Sequence, residues 1–219
     1  MVKAIFLDFY GTVVHEDEDV ICKIIKEISD TGNEKSRSEI GSYWQEEFQK
    51  TVYSAYGKNF QTQRELEYRS LKKTIKHFGS AADAEKLSRA LFEHWRRPPI
   101  FEDAKRFLER CPTDIYFVSN IDRDDIMSAV EFHGLKPAGI FTSEDVKAYK
   151  PRHELFELAL NQSGLSAEQV AHIGDSLSSD IQGASSVGIR AVWINRNGIK
   201  TPIGVLSIQS FSEITDADL

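Results

Sequence analysis

The sequence predicts an α/β fold, a doubly wound parallel sheet with an all-helical domain inserted into it. Three observations carry that prediction. The chain opens on an apolar run, Lys3-Ala-Ile-Phe-Leu-Asp8, that breaks at once into Phe9-Tyr10-Gly11-Thr12. From about residue 98 onward, short apolar runs alternate with helical periodicities, the pattern of a parallel sheet covered on both faces. Between the two lies a long polar and aromatic block whose apolar positions recur at helical spacing.

The first strand ends in a lone carboxylate followed by a glycine turn. Asp8 therefore stands at the carboxyl end of a buried strand, where open α/β sheets bind ligands and where an Asp can serve as a nucleophile. In the block that follows, Val20-Ile21, Ile24-Ile25 and Ile28 mark one helical face, and Tyr43-Trp44, Phe48, Val52 and Tyr56 a second. Leu66, Leu71, Ile75 and Phe78 mark a third, and Leu87, Leu91-Phe92 and Trp95 a fourth, with Gly32, Gly57 and Gly79 falling between them. Pro98-Pro99 closes the block. The expected organisation is an α/β core of residues 1–14 and 98–219 with a helical insertion at 15–97.

Past the prolines, 101–110 reads as a short helix ended by Cys111-Pro112. Residues 115–119 form a strand, 125–133 a helix stopped by Gly134, and 139–142 a short strand. Pro151 suits the first position of a helix reaching Gln162, with Gly164 just beyond it. A strand at 170–174, a helix from Asp180 to Val187 stopped by Gly188, and a strand at 190–194 follow.

With 219 residues the chain can bury a full core. Its 27 basic against 34 acidic residues give a net charge of −7, which argues against a nucleic-acid surface. Cys22 and Cys111 have no metal-ligand spacing and read as free thiols of a reducing compartment. No basic leader precedes the first strand, and no stretch approaches the about 18 continuous apolar residues of a membrane span. A cytoplasmic location away from membranes is expected.

Three further signals follow predicted strands. In Val118-Ser119-Asn120 the serine can donate to a bound oxyanion or cap a turn. In Tyr149-Lys150-Pro151 the ammonium is expected beside a helix N-terminus, where anions bind, or out in solvent. In Ile173-Gly174-Asp175-Ser176-Leu177-Ser178-Ser179-Asp180 a strand ends in Gly-Asp and a second Asp follows five residues on. Two nearby carboxylates suit a hard cation such as magnesium; a helix cap is the other reading of Asp180.

Taken together, Asp8-x-Tyr10-Gly-Thr, Ser119-Asn, Lys150-Pro and Gly-Asp175-x4-Asp180 resemble, in order and spacing, the haloacid dehalogenase superfamily. Gly134-Leu135, Phe141-Thr-Ser-Glu-Asp-Val and Asp180-Ile-Gln-Gly-Ala extend the resemblance over nearly the whole chain, and the insertion is similar to that superfamily's helical cap domain. The resemblance implies that Asp8 is the nucleophile and takes up the transferred group as an aspartyl ester. It implies that Ser119 and Lys150 hold the phosphoryl oxygens of a small phosphorylated substrate, with Gly11, Thr12 and Asn120 alongside. Magnesium would be bound by Asp8, Asp175 and the backbone carbonyl of Tyr10, with Ser176 and Asp180 supporting from just outside. An anionic nucleophile attacking an anionic phosphate needs such cations to offset repulsion.

One position departs. The superfamily's phosphatases carry a second Asp two residues after the nucleophile, an acid and base contributing roughly 10²–10⁴-fold. Here that residue is Tyr10, and a phenol of pKa about 10 is a poor base at neutral pH. Asp-x-Tyr-Gly-Thr is also the form of the metal-free 2-haloacid dehalogenases. Against that subfamily stand Asp175 and Leu177 in the fourth motif, Gln45 after Trp44 in place of an arginine, and Phe156 in place of a tyrosine. The balance favours a slow, magnesium-dependent phosphatase over a dehalogenase or a non-catalytic phospho-ligand or partner-binding fold.

The remaining polar residues fall to simpler readings. His15 and the acids up to Asp19 start a helix. Trp44, Arg64, Tyr68 and Arg69 either line a pocket or pack in the helical core. Arg123 faces a substrate or solvent, and His172 is a sheet residue.

Overall fold

The computed structural model describes residues 2–33 and 36–214. The strands are β1 (Ala4–Leu7), β2 (Asp114–Ser119), β3 (Gly139–Thr142), β4 (Val170–Gly174), β5 (Arg190–Ile194) and β6 (Leu206–Ile208). They form one parallel sheet in the order β3-β2-β1-β4-β5-β6. Leu7 lies beside Phe117 on one side and Ile173 on the other. The strand order reverses at β1, and ligands of such sheets bind in the crevice at the carboxyl ends there.

Four helices separate β1 from the rest: α1 (Glu18–Thr31), α2 (Arg37–Val52), α3 (Gln63–His77) and α4 (Ala84–Arg96). They are followed by α5 (Glu102–Arg110), α6 (Arg123–His133), α7 (Ser143–Val146), α8 (Glu154–Ser163) and α9 (Gly183–Ser186). Their ends carry the expected chemistry. Thr62 and Glu65 form a reciprocal capping box at α3, and Gly134 and Gly164 close α6 and α8 in the left-handed conformation, at φ 63° and 69°.

The two-residue period of β1 sorts its side chains onto opposite faces. Ile5 and Leu7 pack with Ala104 of α5 and Ile126 and Ala129 of α6. Ala4 and Phe6 pack with Leu155, Phe156 and Ala159 of α8. Ile24, Ile40, Leu71 and Trp95 of the insertion belong to the same cluster as Ile5 and Leu7, so the lid and the sheet share one apolar core. Polar contacts reinforce the seam. Asp122, ahead of α6, accepts the backbone N–H groups of Gln63 (2.7 Å) and Arg64 (2.9 Å), capping α3 from the other side of the boundary.

Three expectations are corrected. Pro151 does not open a helix: residues 150–153 form a turn after a cis Lys150-Pro151 bond, and α8 begins at Glu154. The segment after β4 turns helical at Leu177, not Asp180, because Ser176 is the cap and its Oγ accepts the Ser179 N–H (3.1 Å). That segment opens as a π-helical turn, Leu177–Gln182, before α9. β6 was not foreseen; it is three residues long, too short for a periodicity to register. Both cysteines are free thiols, and no helix among the described residues is long and apolar enough to cross a membrane.

Candidate active site

The site forms where β1, β2 and β4 end. Asp8 follows the last residue of β1, and its N–H donates to the Ile173 carbonyl (3.0 Å), so the sheet ladder aims its carboxylate into the crevice. Lys150 Nζ donates to Asp8 Oδ1 (2.7 Å), Asp180 Oδ1 (2.6 Å) and the Val118 carbonyl (2.8 Å). These three acceptors take all three ammonium hydrogens. The lysine is 3% exposed. Burial pulls its proton affinity down, but Asp180 and Asp8 more than offset that and hold it well above the usual lysine range.

Asp180 is the hub. Its Oδ1 also accepts from His172 Nε2 (3.0 Å), and its Oδ2 accepts the Ser176 N–H (3.1 Å). Burial would raise it, yet Lys150 and His172 dominate and hold the carboxyl well below the usual range. Asp8 and Asp175 fare differently. Burial pushes Asp8 up to about 7, against the pull of Lys150 and with Asp180 adding to it. Burial, then the neighbouring Asp8 and Asp180, push Asp175 up to about 8. One oxygen from each of these three carboxylates lies within 4.8 Å of the others. Three acids thus share a buried crevice with one ammonium.

The glycines here permit close approach. A Cβ on Gly11, at φ +84°, would sit 2.5 Å from Asp175 Oδ2, and one on Gly174 would sit 2.2 Å from the Asp180 carboxyl carbon.

Several predicted residues reach the site indirectly. Asn120, expected against substrate, grips the backbone of Lys150 at both ends: Oδ1 accepts its N–H (2.7 Å) and Nδ2 donates to its carbonyl (3.2 Å). Thr12 is fully buried and its Oγ1 leans towards Asp175 Oδ1 (3.4 Å). The Gly11 N–H closes a turn onto Val14. Asn120 and Thr12 hold charged groups in place, while Gly11 shapes the loop. Lys150 stands beside no helix N-terminus, since α8 starts four residues later.

Ser119, 2% exposed at the end of β2, accepts the Ile121 N–H at 3.4 Å and keeps its own O–H for the cavity it lines. Ser176 and Asp175 line it too, and the Asp175 carbonyl is fixed by Trp193 Nε1 (2.7 Å). Tyr10 is the main surprise. Its hydroxyl donates to the Trp95 carbonyl across the boundary with the insertion, and burial, then Asp125 and Asp17, drive the phenol far above its ordinary value.

Above these groups lies a cavity of about 480 Å³. Its roof is one face of α2, with Gln45, Phe48, Gln49 and Val52, completed by the Trp95 ring. Glu16 and Asp17 form the side where the chain enters the insertion. The predicted pocket residues face elsewhere. Trp44 Nε1 donates to Ser70 inside the helical core (3.0 Å), Arg64 Nε pairs with Asp125 (2.7 Å), and Arg69 bonds Gln61. Tyr68 lies under Lys72, 5.7 Å from its ring centre. Arg123 is committed to Asp145 (3.0 Å) and the Ile140 carbonyl (3.3 Å).

Sequence reasoning missed two contributors. His172 was legible as the one polar residue in Val-Ala-His-Ile-Gly, and its contact with Asp180 needed the fold. Trp95 read as one more apolar helix position, yet its indole donates to Asp17 Oδ2 (2.7 Å) and its carbonyl takes Tyr10.

Sheet order, acidic strand ends and a helical insertion define the class, a doubly wound α/β protein with its candidate site at the carboxyl ends of the strands. The family is specific: residues 2–188 match the family model of haloacid dehalogenase-like hydrolases, and the chain belongs to that family. Among curated relatives, it is 29% identical over 136 residues to a phosphoserine phosphatase of Thermus thermophilus, a match covering 58% of this chain and 54% of that enzyme. It is 25% identical over 202 residues to an (S)-2-haloacid dehalogenase of Pseudomonas sp. (strain YL), covering 90% and 84%. The chain thus spans about half the length of the first relative and most of the second. In fold it is similar to a crystallised dehalogenase (TM-score 0.76, 18% identity, covering 97% and 95%). It is equally similar to the HAD-hydrolase YfnB of Bacillus subtilis bound to magnesium (TM-score 0.76, 21% identity, covering 97% and 96%). Relatives of both activities lie at comparable distance, so the reaction has to be argued from the site.

Proposed function

We propose that the protein is a magnesium-dependent phosphatase of small phosphomonoesters, with Asp8 as its nucleophile. The observation that carries this reading is the charge imbalance of the crevice. Asp8, Asp175 and Asp180 lie within 4.8 Å of one another, and Lys150 is the single cation among them. A displacement at carbon by Asp8 alone gains nothing from a second, half-buried carboxylate held beside it. A hard divalent cation fits this donor set: Asp8 and Asp175 would hold it with the Tyr10 carbonyl, while Asp180, already bonded to Lys150, His172 and Ser176, would orient its neighbours. When bound, magnesium supplies charge neutralisation to the transferring phosphoryl group.

The chain's own residues account for the rest. The free oxygen of Asp8 attacks phosphorus, forming the Asp8–phosphate bond as the ester oxygen leaves. Lys150 opposes the effect of burial on Asp8 and aims its carboxylate. The Ser119 hydroxyl donates to a phosphoryl oxygen, and water then attacks phosphorus to regenerate the carboxylate. Tyr10 supplies no proton in this scheme, because its hydroxyl is bonded to Trp95 and its phenol is held far above neutrality. The leaving alkoxide takes its proton from water, so turnover is slow, short of the roughly 10²–10⁴-fold that a positioned acid contributes.

Phosphate release from p-nitrophenyl phosphate tests the reading. It should require magnesium and vanish in Asp8→Asn. Metal-independent halide release from 2-chloropropionate overturns it, as does saturable phosphate binding without turnover of either substrate.

A further inference from the structure

We propose that the cavity over Asp8 selects phosphomonoesters of cationic alcohols, with the substrate's ammonium group received by Glu16 and Asp17. The inference rests on the phosphatase reading and names the substrate class of the same site.

The charges around the cavity point one way. Among the described residues Lys150 is the only basic one lining it, and its three hydrogens are already taken by Asp8, Asp180 and Val118. The roof offers amides, hydrocarbon and a phenol but no charge, Gln45 and Gln49 beside Phe48, Val52 and Tyr53. A carboxylate on the leaving alcohol therefore has no cation to meet and faces Glu16 and Asp17 instead. Lys23 and Arg196 line the adjoining cleft, which Glu16 borders as well and Asp8 does not, and Arg196 is bound to Asp103 (3.1 Å) and the Thr12 carbonyl (2.7 Å); Arg64 is bound to Asp125 (2.7 Å).

Asp17 adds an independent sign. It stands at the N-cap of α1, where a carboxylate ordinarily accepts the backbone N–H groups of the first turn. It makes no such bond; Oδ2 is turned to Trp95 Nε1 (2.7 Å) at the cavity wall. A carboxylate fixed against an indole ring, with Tyr10 and Phe48 on the same cavity, is the arrangement that attracts an alkylammonium through both charge and ring faces. Phosphate is handled at the floor by Ser119 and the cation site, and the ammonium lies at the side wall.

Three two-carbon esters of matched size test this: phosphoethanolamine, 2-hydroxyethyl phosphate and phosphoglycolate, cationic, neutral and anionic in their alcohol parts. With magnesium present, kcat/KM for phosphate release should fall in that order, by about tenfold at each step. Glu16→Gln should shrink the spread and Glu16→Lys should invert it. Phosphoglycolate turned over as well as phosphoethanolamine overturns the proposal, as does a spread unchanged in both variants. If p-nitrophenyl phosphate is hydrolysed but the three esters show no ordering, this inference fails alone. If no phosphate is released from any of the four, the phosphatase reading fails and takes this one with it.

Discussion

At the floor of the cavity Lys150, Asp8, Asp180 and His172 are joined in one buried chain of hydrogen bonds, whereas the roof meets the same space with the glutamines and apolar groups of α2 and the rim of Trp95. The floor is over-determined: Asp8 follows β1, Asp180 sits in the helical turn after β4, and Lys150 is held by both of them, by the Val118 carbonyl and by Asn120. Such preorganised charge does not have to rearrange as a reaction proceeds. The roof is built on one helix face of the insertion, where substitution changes what fits without touching the chemistry. On the proposed function, chemistry would rest on the floor and selectivity on the walls and roof above it, and that division can be broken by experiment.

Replacing Lys150 attacks the floor hardest. Lys150→Met leaves three clustered carboxylates with no cation, and removing one partner of a buried pair typically costs about 3–5 kcal/mol. Urea unfolding should show a loss of that order, and phosphate release should drop below detection. A loss under about 1 kcal/mol would mean that Asp8 and Asp180 do not depend on the ammonium.

Magnesium and pH probe the same imbalance. Asp8 and Asp175 sit at about 7 and about 8 in the folded chain against 3.8 for the free side chain. Between those values the folded state holds protons that the unfolded state has lost. Their contribution to the stability of the metal-free protein therefore falls as pH rises from about 4 to about 8. Magnesium must displace those protons, so its stabilisation should be larger at pH 8 than at pH 5.5. At a hundredfold excess over Kd it approaches about 2.7 kcal/mol, a rise in Tm of some ~5–10 °C for a chain of this size. Equal shifts at both pH values would remove Asp8 and Asp175 from the metal site.

His172 gives a smaller effect. His172→Phe keeps an aromatic ring against Phe156, whose ring centre is 5.0 Å away, and removes the donor to Asp180. Asp180 keeps Lys150 and the Ser176 N–H, so a loss of about 1–2 kcal/mol is expected. Turnover should fall about tenfold with KM little changed, because Asp180 no longer holds the ammonium in one place.

The floor was far more legible than the roof. Asp8, Ser119 and Asp175 stand where apolar runs stop, and a polar group at the end of a buried strand is conspicuous in any sequence; Lys150 is marked by the proline after it. Their convergence follows from the sheet order, which alternating strands and helices foretell. The helix beginning at Leu177 escaped because a cap at Ser176 and a π-helical turn obscure the usual periodicity, and the turn at Pro151 because a proline suits a turn as well as a first helical position. The roof escaped for another reason. Gln45, Phe48, Gln49 and Val52 share a helix face but mix amides with hydrocarbon, so no periodicity singles them out, and the neighbouring Trp44 points into the helical core instead.

Tyr10 belongs to both regions, and its variants give the smallest but most discriminating test. By position it stands where the family's phosphatases keep an acid; by contact it ties β1's loop to the Trp95 carbonyl, 85 residues away. The two roles separate in Tyr10→Phe. A tether contributes about 0.5–1.5 kcal/mol, so its loss should raise KM roughly two- to tenfold as the lid loosens, with kcat and its pH profile nearly intact. A catalytic phenol would instead lose kcat by about a hundredfold or more and drop the basic limb of that profile. Tyr10→Asp sharpens the contrast, since it restores a carboxylate beside Asp8 while cutting the tether. A higher kcat together with a higher KM is the expected signature of a site that lacks its acid and uses this side chain to hold the lid.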